Sequence, residues 1–226
     1  MLNSQAFLPF DRNVPHLIAT AQNIIGPGTT TTAAFLTRTT FHILNNPRIL
    51  SNLKAELNAA IPDPAMIPSS PDLEKLPYLT AVIHEGHRIS HGVSHRLQRV
   101  AREPIIYKTW IIPAGTPVGM TPSIMAMNED VFPNPKIFDP DRYLDTSGMV
   151  RRRKAAFNPF GKGPRSCLGI NLATAEAYII LAMMFRRFDF ELFETKREDV
   201  DVARDYFAAL PKVGARGLRV LVRSSE

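Results

Sequence analysis

The stretch of the chain best suited to chemistry surrounds its single cysteine. It reads Phe-Asn-Pro-Phe-Gly-Lys-Gly-Pro-Arg-Ser-Cys-Leu-Gly over residues 157–169. The apolar pattern that follows predicts a helix from Leu168 to about Phe188, so Cys167 stands at a helix N-terminus. The amides of a first helical turn and the positive end of the helix dipole favour a thiolate and can donate hydrogen bonds to its sulfur. Such a cysteine is suited to ligating a metal ion, although a lone cysteine is more often a small buried apolar residue.

The neighbours of Cys167 add more specific chemistry. Gly163 supplies a backbone turn that bulkier residues avoid, and Gly169 lets the start of the helix approach a flat ligand closely. Arg165 carries a guanidinium that can hold a carboxylate through two parallel hydrogen bonds. Phe160 offers an aromatic wall that would keep water from the sulfur. These are the properties that a haem ligated through its iron by the cysteine sulfur would require.

The complete loop resembles that of cytochrome P-450 enzymes. The shared spacing is Phe-x-x-Gly-x-Arg-x-Cys-x-Gly, and five fixed residues at fixed spacing rarely match by chance; they are Phe160, Gly163, Arg165, Cys167 and Gly169. The resemblance implies that the cofactor is haem b, that Cys167 is the axial ligand of its iron, and that the other four residues belong to the cofactor site. It also implies a monooxygenase that inserts one oxygen atom of dioxygen into an unactivated C–H bond of a lipophilic small molecule.

Further arginines match places where the family supports its haem. Glu85 and Arg88 lie three residues apart on one helical face, and Arg142 follows in Pro-Asp-Arg-Tyr at 140–143. Alone, the first two would be an ordinary surface pair. The resemblance implies that the three form a buried ion-pair network that braces the cysteine loop without taking part in catalysis. It likewise implies that Arg99 binds a haem propionate, with Arg96 as a second candidate.

The oxygen-binding helix matches the family less closely. The family pattern is Ala/Gly-Gly-x-Asp/Glu-Thr, and this chain reads Pro-Gly-Thr-Thr-Thr at 27–31. Gly28 and Thr31 hold the catalytic positions, and the resemblance implies that Thr31 relays protons to bound dioxygen. Thr30 stands where the family has an acid, so oxygen activation is expected to be less efficient unless a water chain substitutes. Pro27 lacks an amide donor and is expected to accentuate a kink in the helix.

The elements that must position these residues are mostly helical. Apolar periodicity predicts one long helix that begins at a cap on Asp11 or Asn13 and ends near 45–47. Other helices are predicted over 48–60, 78–89 and 168–188, and short strands over 96–100, 105–107, 118–120 and 218–222. The fold class is therefore mainly α with small β-sheets. The resemblance implies the C-terminal half of the cytochrome P-450 fold, from the long oxygen-binding helix to the C-terminus, as a single partial domain over residues 1–226.

Composition narrows the remaining possibilities. The 226 residues are 45% hydrophobic, which allows a sizeable core. No run of about 18 apolar residues predicts a membrane span, and the N-terminus does not resemble a signal peptide. The net charge of +6 favours acidic partners, but no zinc-finger or aromatic-interleaved basic pattern favours nucleic acid. The basic run at 151–154 is either a solvated loop or a docking face.

The resemblance also implies partners. A flavoprotein NADPH–cytochrome reductase would supply the electrons, so NADPH would act only indirectly, and an acidic face of the reductase would dock near 151–154. The stretches 76–82, 90–94 and 167–173 resemble fungal microsomal members, in particular the trichodiene-oxygenase-like enzymes that oxidise terpenoid or polyketide secondary metabolites. The family's full-length members would lie on the cytosolic face of the endoplasmic reticulum membrane, whereas this chain, without an anchor, is expected in the cytoplasm.

The resemblance implies that the family's N-terminal half lies outside the 226 residues, and three interpretations stay open. The chain is a monooxygenase with a truncated sequence, a haem-binding fragment without turnover, or an inactive product that folds poorly. In the chain by itself, without the segments that would pack on them, the apolar side chains of Leu17, Ile24 and Phe35 are expected to be exposed.

Four histidines form one more candidate site. His84, His87, His91 and His95 are spaced so that a helix would present them on one face, as in a zinc site. The alternative, histidines exposed to solvent, is favoured because the flanking sequence is already basic.

Overall fold

The computed structural model describes residues 13–145 and 148–224. The first helix, α1 (Val14–Leu44), is 31 residues long and continues through Pro27. Asn13 caps it, since its side chain accepts a hydrogen bond of 3.0 Å from the amide of His16. Asn13 is therefore the observed cap, and Asp11 lies outside the described residues.

Each of the three helices that follow α1 has a proline in its first turn. They are α2 (Pro47–Ala60), α3 (Ser70–Leu73) and α4 (Pro77–Ser90). Proline fits the first turn because its missing amide would have no helical partner. No side chain next to α4 caps its start. Instead, the Glu56 carboxylate on α2 accepts hydrogen bonds of 2.8 Å from the amides of Tyr78 and Leu79. The start of α4 is thus fixed by the neighbouring helix.

The rest of the chain alternates short strands with helices. In order, these elements are β1 (Leu97–Val100), β2 (Ile105–Tyr107), β3 (Trp110–Ile112), β4 (Pro117–Met120), α5 (Pro122–Ala126), α6 (Gly148–Ala156), α7 (Ile170–Arg187), β5 (Phe188–Leu192), β6 (Arg204–Tyr206), β7 (Ala208–Leu210) and β8 (Val220–Ser224). In the described part of the chain, the strands form four antiparallel pairs: β1 with β4, β2 with β3, β5 with β8, and β6 with β7. The predicted fold class, mainly α with small sheets, is confirmed.

Several sequence predictions differ from the observed elements. The last long helix was expected from Leu168 to Phe188 but spans Ile170–Arg187, and Phe188 opens β5 directly. A short apolar run after a helix cannot be told from a continued helix by periodicity, so β5 was not expected. The basic run at 151–154 lies in helix α6 and not in a loop.

Helices α1, α2, α4 and α7 share one apolar core. Its most deeply buried members include Ile43, Ile49, Leu53, Leu57, Leu79, Val82, Leu181 and Phe185, each fully buried. Phe35 belongs to this core at 3% exposure, so its predicted exposure is wrong, whereas Ile24 is 50% exposed and Leu17 is partly buried. In the described ranges, no helix combines the length and apolar character needed to cross a bilayer.

A glycine allows the close approach of α1 and α4 that covers Phe35. A Cβ added at Gly86 would lie 2.3 Å from Thr39 Oγ1 and 2.8 Å from Phe35 Cε2. Both distances are shorter than van der Waals contact, so any larger side chain must push the helices apart. The close packing therefore outweighs the cost of about 1 kcal/mol for glycine inside a helix.

Replacing Gly86 tests this packing. Gly86→Ala should lower the free energy of unfolding by roughly 1–3 kcal/mol, the usual cost of overpacking, as measured by denaturant titration. Gly26, inside α1 with no atom within 4 Å of an added Cβ, is the matched control. Gly26→Ala should be neutral or stabilising by up to about 1 kcal/mol. Equal effects at the two positions would contradict the close approach.

A buried imidazole near the end of α1 predicts sensitivity to acid. His42 is 7% exposed, stacks on Phe138 with ring centroids 5.0 Å apart, and has no hydrogen-bond partner for Nε2. Burial lowers its pKa to about 4, with Asp201 opposing part of the effect. Between pH 6.5 and 4 the unfolded chain therefore binds a proton that the folded chain excludes, and stability falls as the pH falls through this window.

His42→Phe should remove this contribution. Its stability advantage over the parent should grow between pH 6.5 and 4, by up to about 1.4 kcal/mol per pH unit. Denaturant unfolding at pH 7, 5.5 and 4.5 measures the difference. A His42→Phe curve parallel to that of the parent would contradict the assignment.

Candidate functional site

A cavity of about 300 Å³ lies between α1 and the cysteine loop. Its walls come from α1, the end of α4, β1, α5 and the segment 156–167. Residues predicted from the sequence reach it from separate elements; they are Thr31, Arg88, Arg99, Phe160, Arg165 and Cys167. The tertiary structure thus brings the sulfur, two exposed guanidinium groups and a threonine hydroxyl to one space.

Other predicted residues lie outside the cavity wall. Gly28 is exposed on α1 and is absent from the lining, whereas Thr32 contributes to it. Thr31 donates a hydrogen bond of 2.8 Å from Oγ1 to the carbonyl of Pro27, one turn earlier. The side chain of Arg96 lies against Gly119 of β4, where a Cβ would be 2.7 Å from its Cγ. Of the two strand arginines, Arg99 is therefore the one at the cavity.

The cysteine loop is shaped by backbone hydrogen bonds that leave the sulfur free. The Cys167 amide donates to the carbonyl of Phe160 at 2.8 Å, and the Ser166 amide donates to Gly163 at 3.0 Å. Gly163 has φ +76°, a conformation that is costly for residues with a Cβ. Gly169 occupies the N-cap position of α7, and the Cys167 side chain is exposed. The thiol is consequently available to a ligand in the cavity.

Behind this loop lies a buried ion-pair network centred on Glu85. Its carboxylate accepts hydrogen bonds from Arg88 Nε and a terminal nitrogen, each at 2.7 Å, and from Arg142 Nε at 3.1 Å. The Asp139 amide adds a fourth at 2.9 Å. The three side chains are between 0% and 4% exposed. Buried charges of this kind are tolerated only when their partners are complete.

Arg153 extends this network toward the cysteine loop and was missed from the sequence. It is 8% exposed and donates to the carbonyls of Val131 at 3.2 Å and Arg142 at 2.6 Å. Its own carbonyl accepts from the Phe157 amide at 2.8 Å, where the loop begins. Its neighbours Arg151, Arg152 and Lys154 are exposed. Helical periodicity, which turns one of four consecutive residues inward, was the signal available in the sequence.

The histidines of α4 are aromatic packing residues. His84 contacts Phe157 with ring centroids 5.1 Å apart, and His87 lies between Phe35 and Phe160 at 4.0 and 5.0 Å. Burial lowers the pKa of His87 to about 3, with His84 adding to the effect. Burial also lowers the pKa of His84, which Lys154 lowers further. Both rings are therefore neutral at physiological pH.

The prediction that these histidines are exposed to solvent is wrong for three of the four. Burial, with smaller contributions from the nearby charges of Arg88 and Arg38, lowers the pKa of His91 to about 4. Only His95 is exposed, 3.6 Å from Asp205. No group of three His, Cys, Asp or Glu side chains suited to a metal ion occurs among residues 13–145 and 148–224. The aromatic rings on either side of α4 explain why the histidines are covered.

Comparison with known proteins decides the family. The cytochrome P-450 family model matches residues 12–213. The chain belongs to the cytochrome P-450 family. It is 46% identical over 218 residues to a cytochrome P-450 monooxygenase of Sordaria araneosa, covering 95% of this chain and 42% of that protein. It is 47% identical to an N-acetyltryptophan 6-hydroxylase of Emericella nidulans, covering 93% of this chain and 42% of the relative.

A third relative, a tryptophan 6-hydroxylase of Fusarium equiseti, is 46% identical, and 94% of this chain matches 42% of its length. The chain thus spans about two fifths of the length of these cytochrome P-450 relatives. The family implies a haem-thiolate iron cofactor. The donor set of the cavity fits such a group, because a free thiol, two guanidinium groups and aromatic walls suit iron, propionates and a flat ring in turn.

Substitutions in the network distinguish buried from exposed arginines. Arg142→Ala should lower the free energy of unfolding by about 3–5 kcal/mol because it leaves a buried carboxylate short of a partner. Arg153→Ala should cost roughly 1–3 kcal/mol through two unsatisfied carbonyls. The adjacent Arg152→Ala, at an exposed position, should stay within about 0.5 kcal/mol of the parent. Thermal or denaturant unfolding measures all three, and a stable Arg142→Ala would contradict the network's role.

Proposed function

We propose that this chain forms the haem-thiolate site of a monooxygenase, with Cys167 as the axial ligand of the iron of haem b. The observation that supports the proposal is the convergence of Cys167, Arg165, Arg99 and Thr31 on one cavity. These residues come from the cysteine loop, β1 and α1 and are up to 136 residues apart in the chain. General folding requirements do not demand that these polar groups meet.

Each group of residues has a defined role in this proposal. The Cys167 sulfur would bind the iron, and the hydrogen bonds from the amides of Cys167 and Ser166 to the carbonyls of Phe160 and Gly163 hold the backbone of the loop in place. Arg99 and Arg165 bind the propionates through charge-assisted hydrogen bonds. Gly169, with no atom within 4 Å of an added Cβ, keeps the start of α7 open to the flat ring. When bound, the haem supplies the chemistry by which dioxygen is activated and one oxygen atom enters a C–H bond.

Thr31 belongs to the wall of the cavity that α1 forms, and Gly28 lies outside the lining, three residues before it. The Thr31 hydroxyl donates its hydrogen to the Pro27 carbonyl, and the lone pairs of its oxygen can still accept a hydrogen bond from a donor in the cavity. It can thus hold a proton near the site and pass it on, while Gly28 leaves the helix surface free of a side chain. Thr30, in the position where the family has an acid, is exposed and is not part of the cavity lining.

The names of the relatives support a proposal for the substrate class. Two of them are named as hydroxylases of tryptophan or N-acetyltryptophan, so an indole or another lipophilic secondary metabolite is the substrate class we propose. The terpenoid and polyketide classes expected from the sequence belong to the same group of lipophilic compounds.

Electrons would come from a flavoprotein reductase that uses NADPH. The exposed cations of α6, Arg151, Arg152 and Lys154, form a basic face beside the segment that leads to the cysteine. An acidic face of the reductase would be attracted to this basic face, and the flavin would then lie close to the side of the site that carries the cysteine loop.

The ligand assignment is tested with the only cysteine of the chain. Purified chain loaded with haem, reduced and exposed to carbon monoxide should show the red-shifted band of thiolate ligation. Cys167→Ser should lose that band, while Ser166→Ala, one residue away, should keep it. Persistence of the band in Cys167→Ser would show that the sulfur is not the ligand.

Turnover is a separate measurement that distinguishes a monooxygenase from a haem-binding protein without turnover. Haem-loaded chain, reductase and NADPH are combined with tryptophan, N-acetyltryptophan, a terpenoid and a polyketide. Hydroxylated product that depends on NADPH supports the monooxygenase. The thiolate band without any product would favour the alternative.

A further inference from the structure

We propose that His87 is a positioning residue that sets the separation between α1 and the cysteine loop, and with it the width of the slot for a flat cofactor. The inference rests on the proposed function, since it concerns the same cavity. It does not require His87 to touch the reacting atoms, because the residue acts through the rings on either side of it.

Three rings in series join the two walls of the cavity. Phe35 on α1 stacks on His87 with ring centroids 4.0 Å apart and planes 16° apart. His87 meets the Phe160 ring edge-on at 5.0 Å and 65°. All three residues line the cavity. The position of the loop relative to α1 is therefore set by the thickness of one aromatic ring.

The two outer rings of this series lie close in the chain to Thr31 and Cys167. Phe35 lies one helical turn after Thr31, so its position fixes the helix that carries the hydroxyl. The Phe160 carbonyl accepts the hydrogen bond from the Cys167 amide at 2.8 Å. A change in ring contact at His87 is thus passed to the cysteine backbone through one residue.

A second contact holds the same segment of the loop. His84, one turn before His87, meets the Phe157 ring at 5.1 Å and Tyr143 at 5.4 Å. The histidines and the phenylalanines are each three residues apart, so α4 contacts the loop segment at two points. Two contacts fix the rotation of the segment as well as its distance, and the Glu85 network keeps α4 itself in place.

The space that His87 fills between Phe35 and Phe160 favours a flat, uncharged ring. Gly86 already brings Phe35 against α4, which leaves room for a flat side chain at His87 between the two phenyl rings. A branched aliphatic side chain lacks the flat faces needed for these contacts. An imidazolium would be poorly solvated there, in agreement with the lowered pKa of His87.

The test compares three variants in two states of the chain. Without haem, hydrogen exchange of the amides of 157–169 should speed up roughly tenfold in His87→Leu through loss of two aromatic contacts, and exchange in β5 and β8 should not change. With haem, part of the ferrous carbon monoxide complex of His87→Leu should leave the thiolate band. His87→Phe should restore both readouts. His95→Asn, at an exposed histidine outside the cavity lining, is the control and should behave like the parent.

Each outcome bears on the proposal. Parent-like exchange and spectra in His87→Leu would overturn it, and so would a His87→Phe variant as defective as His87→Leu. If His87→Leu does not fold, Phe160→Leu removes the same contact from the loop side and carries the same expectations. If the parent shows no thiolate band, the proposed function fails, but the exchange measurement without haem still decides the role of His87.

Discussion

The structure depends on keeping one carboxylate, that of Glu85, fully desolvated on α4. A buried anion is stable only if every lone pair it offers is matched, and Glu85 receives hydrogen bonds from Arg88, Arg142 and the Asp139 amide. The two guanidinium groups then need acceptors of their own, which the carbonyls of Ala126, Pro133 and Ile137 provide. Satisfying one charge thus fixes the irregular segment between α5 and α6 against α4.

Helix α4, fixed in this way, positions both walls of the cavity, α1 on one side and the cysteine loop on the other. Toward α1, Gly86 allows the contact that buries Phe35 and places Thr31 at the cavity. Toward the cysteine, His84 and His87 pack on Phe157 and Phe160, and Arg153 carries the network to the start of the loop. Few backbone hydrogen bonds within the cysteine loop hold it in place. Its position therefore depends on the aromatic contacts with α4 more than on α7, the helix that follows it in sequence.

The charges around the cavity are arranged so that only some of them are free. The imidazoles of α4 are neutral because they are buried, and Arg88, Arg142 and Arg153 are used on carbonyls or Glu85. Arg99 and Arg165 are exposed and line the cavity; Arg99 donates one hydrogen bond to the Gln98 carbonyl, and the other donors of its guanidinium can bind an anion. A flat ligand that carries carboxylates and binds a sulfur is favoured by this arrangement, whereas a cation would be repelled.

The family, the fold class, most of the helix positions and the place of Cys167 just before the last long helix could be predicted from the amino-acid sequence. These depend on local spacing: five residues around Cys167, apolar periodicity, and proline or asparagine at helix starts. The tertiary structure alone decided that Phe35 is buried, that Arg153 is the one inward residue of a basic run, and that His84 and His87 are packing rings. Each of these depends on which distant segment covers a side chain, and burial decides whether the same residue is a solvated charge or a neutral contact. Residue type and spacing along one segment do not contain that information.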